Sequence, residues 1–134
     1  MLPYVAAYFG SLVVFLGLDA LWLSLMGPRL YKPLLQDLLA QSVRPAPAVL
    51  FYAIYGLGIL LLAVAPWAQP ERAAGAVARG ALLGIVAYAT YDLTNQATLR
   101  SWPTILTLAD LCWGMILTAA AAGMGFVIWR WIST

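Results

Sequence analysis

Three aspartates carry the chemistry this chain can offer: Asp19, Asp92 and Asp110. Each sits inside a long apolar stretch. Placing a carboxylate at the centre of a bilayer costs about 2.5–3.5 kcal/mol on insertion scales, so residues of this kind mark pathways, proton sites or buried networks. Trp22 follows Asp19 by three residues, and Trp113 follows Asp110 by three. That spacing puts each pair on one helix face and brings an N–H donor near a carboxylate. Asp92 is followed by Thr94, Asn95 and Thr98, which are also donors, and Arg100 lies just beyond. Three carboxylates a few ångströms apart cannot all stay ionised, so at least one is expected to hold a proton near neutral pH. The other ways to neutralise them are an inward-reaching Arg29, Lys32 or Arg100, or a bound cation.

The residue types present exclude much else. Histidine is absent and Cys112 is the single cysteine, which leaves no internal disulfide, no Cys/His metal site and no Ser-His-Asp triad within these residues. An all-Asp site could suit only a hard cation, and we expect no metal. No cofactor motif is visible. Cys112 points to a different side of its helix from Asp110 and reads as a small buried apolar residue. The seven basic residues are scattered and the net charge is only +2, so no nucleic-acid partner is expected.

The elements that must position the aspartates are helices in lipid. Of the 134 residues, 64% are apolar and 9% are charged, against about a quarter charged in a soluble domain. Four stretches are long enough to span about 30 Å of hydrocarbon at about 1.5 Å per residue. They run from about Pro3 to Met26, Ala46 to Ala65, Ala73 to Ala97 and Thr104 to Trp129. The reading is therefore all-α: one domain, residues 1–134, a four-transmembrane-helix bundle. The first stretch lacks a preceding Lys or Arg, is long for a signal peptide and carries Asp19, so it reads as a retained helix.

Proline punctuates the spans. Gly27-Pro28 is expected to end the first, Pro45 and Pro47 to open the second, Pro66 and Pro70 to bracket the next turn, and Trp102-Pro103 to open the fourth. Short connections make helices two, three and four successive antiparallel neighbours. Between helices one and two, Leu30, Leu34 and Leu38 recur every four residues, beside Tyr31, Leu35 and Leu39. This pattern predicts a short amphipathic helix over about Leu30–Gln41, lying flat in the headgroup region or packed as a cap on the bundle end. Trp67, Trp102, Trp129 and Trp131 fall at helix ends, where an aromatic belt belongs.

Topology fixes depth. Both termini share one side, A, and the first and third connections lie on side B. Side B holds Arg29, Lys32, Arg44 and Arg100, and side A holds Arg72, Arg79 and Arg130, a margin of one residue for a cytoplasmic side B. Chain direction then places all three aspartates roughly 10 Å below side B. Helix faces agree. Ala76, Gly80, Gly84, Tyr88, Asp92 and Gln96 are spaced by four, and so are Asp110, Gly114, Thr118 and Ala122. Both are small-xxx-small faces that allow close approach of backbones, and pressing them together turns Asp92 and Asp110 into a shared interior.

Certain strings carry a resemblance. Tyr88-Ala89-Thr90-Tyr91-Asp92-Leu93-Thr94-Asn95, Ala97-Thr98-Leu99-Arg100, Trp102-Pro103, Leu18 through Leu23 and Asp110 through Gly114 resemble the blocks of a bacterial inner-membrane family catalogued as domain of unknown function 2177. The resemblance covers the whole chain and implies a four-helix, multi-pass inner-membrane protein. It supplies no reaction. It implies a lipid-modifying or redox enzyme as a partner, since genes of the family tend to lie near genes for such enzymes. Three functions stay open. The first is binding or translocation of a proton or a polar or cationic small molecule at a site of Asp19, Asp92, Asp110, Asn95, Thr94, Trp22, Trp113 and Arg100, with a homo-oligomer enclosing the pathway. The second is accessory or catalytic work on membrane lipids, and the third is a structural role.

Overall fold

The computed structural model describes residues 1–65 and 72–134. The turn bracketed by Pro66 and Pro70, with Trp67, lies outside the described residues. Every regular element among the described residues is helical. Helix α1 covers Leu2–Met26 and passes through a π-helical turn, Gly27–Tyr31, into a short α2, Lys32–Leu35. Helix α3 covers Pro45–Ile59 and ends in a second π-helical turn, Leu60–Val64. Helices α4 (Ala73–Thr98) and α5 (Thr104–Ser133) complete the bundle. Among the described residues, four segments are long and apolar enough to cross a membrane: Leu2–Leu35, Pro45–Val64, Ala73–Thr98 and Thr104–Ser133.

Gly27-Pro28 does not end the first helix, as its composition predicts. Proline removes one donor from the helical ladder and crowds the preceding turn. The chain absorbs this by widening one turn rather than breaking: the Lys32 N–H reaches back five residues to the Gly27 carbonyl. The amphipathic segment is helical only through Leu35, shorter than the expected stretch to Gln41, and it continues α1 instead of standing apart. Leu35 is buried against the bundle, while Leu38 and Leu39 are exposed in the turn that follows.

Elsewhere the prolines sit where helices tolerate them. Pro45 and Pro47 occupy the first turn of α3, whose N–H groups have no helical acceptor. Pro103 caps α5 in an extended conformation. At the other end of that short connection, Leu99 closes α4 by donating to the Asn95 carbonyl at 2.8 Å.

Helix α5 is central, packing along both α4 and α1. On the α4 side, Ala76, Gly80 and Gly84 are buried against Gly114, Thr118 and Ala122. A Cβ at Gly80 would lie 2.6 Å from Ala122 Cβ and 2.7 Å from the Thr118 carbonyl oxygen. One at Gly84 would lie 2.8 Å from the Gly114 carbonyl carbon. The two backbones are thus in contact, which only hydrogen on Cα permits. The apolar core lies where α1, α5 and the Leu60–Val64 turn meet: Ala7, Phe15, Ile59, Ala63, Val64, Leu117 and Ala121 are essentially inaccessible. Helix α3 leans on α1, with Tyr52 and Tyr55 around Phe15 at ring separations of 5.9 and 5.0 Å. It scarcely touches α4; the Leu60–Val64 turn makes that contact instead.

The backbone contact makes a clear prediction. Gly84→Leu forces α4 off α5 and should destabilise the protein by about 3 kcal/mol or more, the upper range for overpacking. Gly58, with open space around it, should accept Ala with no loss. Reversible unfolding in mixed micelles measures both.

Candidate functional site: a carboxyl pair between two helices

The small-residue contact brings α4 and α5 together, and the carboxyl groups lie about two turns below the polar ends of these helices. Asp92 lies on the glycine face of α4 and is wholly inaccessible. Asp110 lies on the facing stripe of α5 and is 5% exposed. The two carboxyl groups lie within electrostatic reach of each other across the interface. The Tyr88 ring, one turn from Asp92, lies over Gly114, one turn from Asp110; a Cβ at Gly114 would overlap that ring. The two glycine positions therefore set the separation of the carboxyl pair.

The pair is served unequally. Asp110 accepts a hydrogen bond from the Tyr31 hydroxyl, and that hydroxyl accepts one from the Trp22 indole N–H at 2.9 Å. The π-helical turn is what aims Tyr31 back into the bundle, since it rotates the residues after Pro28 relative to a regular helix. Asp92 has no donor on either carboxylate oxygen, and the buried Trp113 indole N–H has no acceptor. A buried carboxylate without a donor costs several kcal/mol, so its charge must be removed or met. A proton held between Asp92 and Asp110 converts the pair into a hydrogen-bonded acid and carboxylate. A cation between them does the same work.

Asp19 is buried at 9% exposure and accepts a hydrogen bond from the Tyr52 hydroxyl at 2.6 Å. It belongs to the same polar interior but to a different level. Trp22 stacks on Trp113 with ring centroids 4.5 Å apart and planes 8° from parallel. Asp19 is one turn to the A side of this stack and Asp110 one turn to the B side, an offset on the order of 9 Å from six residues of helical rise. Tyr88 sits between the levels, with its phenol in electrostatic reach of Asp19 and Asp110. Toward side B the interior is closed by a chain of side chains. Trp102 Nε1 donates to Thr107 Oγ1 at 3.0 Å, Thr107 donates to Gln96 Oε1 at 2.8 Å, and Gln96 Nε2 donates to Thr104 Oγ1 at 3.0 Å. Trp102 thus anchors this network in addition to sitting at a helix end.

Of the residues read from the sequence, Asp92, Asp110, Trp22 and Trp113 come together, with Asp19 one level away. Asn95 is half-buried one turn further on, beside Tyr91. Thr94 does not join them. It is exposed, and its hydroxyl is spent on the Thr90 and Tyr91 carbonyls of its own helix, a habit of threonine inside helices. Arg100 is exposed in the turn after α4. Cys112 faces outward rather than into the core. Sequence reasoning missed Tyr31 and Tyr52 as partners of the carboxylates. The available signal was chemical: acceptor-only groups need donors, and hydroxyls in apolar helices are candidates.

Fold and interior together define a multi-pass α-helical membrane protein with carboxyl groups packed between its helices. The chain belongs to the family described as "Predicted membrane protein (DUF2177)", whose model matches residues 4–127. No curated protein matches the chain, and no solved structure does.

The donor chain predicts that Tyr31→Phe strands Asp110 and Trp22 together and should cost about 1–3 kcal/mol of stability. Tyr52→Phe should cost a similar amount through Asp19. Thr94→Ala should be silent. Thermal unfolding of the purified variants reads all three.

Proposed function

We propose that the Asp92–Asp110 pair is an intramembrane binding site for a proton or for the cationic or polar group of a small molecule. The observation that carries this reading is the state of Asp92: fully buried, with no donor on either oxygen, beside a second carboxyl group. A network built only to pin helices together would satisfy its own acceptors, as Tyr52 does for Asp19 and Tyr31 for Asp110. Burial between α4 and α5 lowers the local dielectric, which strengthens any charge the pair holds. The setting we propose is the bacterial inner membrane, with membrane lipids around the chain and a homo-oligomer enclosing the site. A lipid-modifying or redox enzyme is the proposed protein partner.

A second reading, accessory or catalytic work on membrane lipids, draws support from the tyrosines. Tyr31 and Tyr52 hold hydroxyl protons directly on carboxylates, the arrangement a general acid–base pair needs.

Replacing Asp92 separates an ionisable site from a structural one. Asp92→Asn keeps the shape but cannot ionise. It should leave the fold intact and abolish the pH-dependent fluorescence change expected from the neighbouring Trp22–Trp113 stack. Unchanged pH responses in Asn variants at Asp19, Asp92 and Asp110 alike would leave only a structural role.

A further inference from the structure

A separate cavity lies at the other end of the bundle from the carboxyl pair. By helical rise along α5, Arg130 is on the order of 30 Å from Asp110. The cavity holds about 550 Å³ between the first turn of α4 and the last turns of α5. Arg72 and Arg130 line it from the two helices, with Ala73, Phe126, Val127 and Trp131. Both arginines are exposed, and Trp131 is 80% exposed. Phe126 is buried and Val127 is half-exposed, so the rest of the wall is apolar.

Helix-end electrostatics accounts for one of these arginines and not the other. Arg130 stands in the last turn of α5, where a cation complements the negative end of the helix dipole. Arg72 is the N-cap of α4, at the positive end of that helix, and the first turn holds no acidic residue. Its guanidinium only donates, so it cannot satisfy the first-turn N–H groups as an aspartate or serine N-cap does. Two guanidiniums and the positive end of α4 therefore border one cavity. On side A the sequence sets Arg72, Arg79 and Arg130 against Glu71, so positive charge stays in excess. The complementary occupant is an anion.

The position of the cavity selects which anion. It lies at the ends of two helices that are long and apolar enough to cross a membrane, and the ends of such helices meet lipid headgroups. A guanidinium matches phosphate with paired N–H donors. Free phosphate would engage the arginines but not the apolar wall. A zwitterionic headgroup would bring an ammonium into a positive site.

We propose that the cavity between the start of α4 and the end of α5 binds an anionic phospholipid. Arg72 and Arg130 hold the phosphate, and the start of an acyl chain lies along Phe126 and Val127. This site is independent of the carboxyl pair and of the function proposed for it.

The test uses the full chain in non-ionic maltoside micelles, with bound lipid counted by native mass spectrometry. The probes are phosphatidylglycerol and phosphatidylcholine with the same acyl chains. Phosphatidylglycerol should bind about tenfold more tightly. Arg72→Gln and Arg130→Gln should each weaken it about fivefold, the share of one basic residue at an anionic surface, and leave phosphatidylcholine unchanged. Arg79→Gln should keep the preference, because Arg79 lines a different hollow with Leu62 and Leu82. Ala73→Glu places an acid in the first turn of α4, which favours the helix but competes for the guanidiniums. It should weaken phosphatidylglycerol binding severalfold with no loss of thermal stability, which separates a lost site from a lost fold. Equal losses from Arg79→Gln and Arg72→Gln overturn the proposal in favour of diffuse surface charge. Displacement of the lipid by millimolar inorganic phosphate overturns it in favour of a free-phosphate site. It is overturned as well if the arginine variants leave lipid binding unchanged and instead split an oligomer, since the cavity is then a contact between copies of the chain.

Discussion

A carboxylate can accept hydrogen bonds but cannot donate them, and one buried between helices has no bulk water to make up the difference. That constraint organises the B-side half of this bundle. Asp19 takes its donor from Tyr52 on α3, and Asp110 takes its donor from Tyr31 on the widened turn after α1. Each bond ties one helix to another. Asp92 alone is left to its neighbour across the interface. The placement of Tyr31 needs the π-helical turn, and that turn accommodates the proline at position 28. A residue with no side-chain polarity thereby decides which donor reaches Asp110.

Packing and electrostatics act on the same residues. Gly84 and Gly114 let α4 and α5 touch along their backbones, which any larger residue forbids. The closeness that stabilises the helix pair by dispersion also forces two acidic groups together. On the A side α4, α5 and the Leu60–Val64 turn meet through Ala76, Ala121, Ala122, Ala63 and Val64, with no ionisable partner among them. Most of the buried apolar core lies in that half, and the polar half is where the bundle opens between α3 and α4.

Much of this was legible in the sequence because it depended on period and direction. Spacing by four placed Asp92 and Asp110 on facing small-residue stripes, and alternating chain direction set their depth. What the sequence concealed depended on local deviation. Gly27-Pro28 reads as a helix stop, yet a single widened turn carries the helix on to Leu35, and without that turn Tyr31 has no visible reason to reach Asp110. Thr94 sits two residues from Asp92 and looks like a donor, but its hydroxyl has a nearer acceptor in its own backbone. Trp22 stacks on Trp113 between Asp19 and Asp110. Side-chain stacking between helices leaves no periodic trace.

The central claim is that the Asp92–Asp110 pair shares a proton or holds a cation in its place. Infrared difference spectroscopy between the wild-type protein and Asp92→Asn, both in maltoside micelles near neutral pH without added cations, tests it most directly. A protonated carboxylic acid has a carbonyl stretch well separated from that of a carboxylate. The account predicts such a band in the wild type, shifted by deuterium exchange and lost or displaced in Asp92→Asn. A wild-type spectrum with no protonated carboxyl band, and with carboxylate bands only, would contradict it.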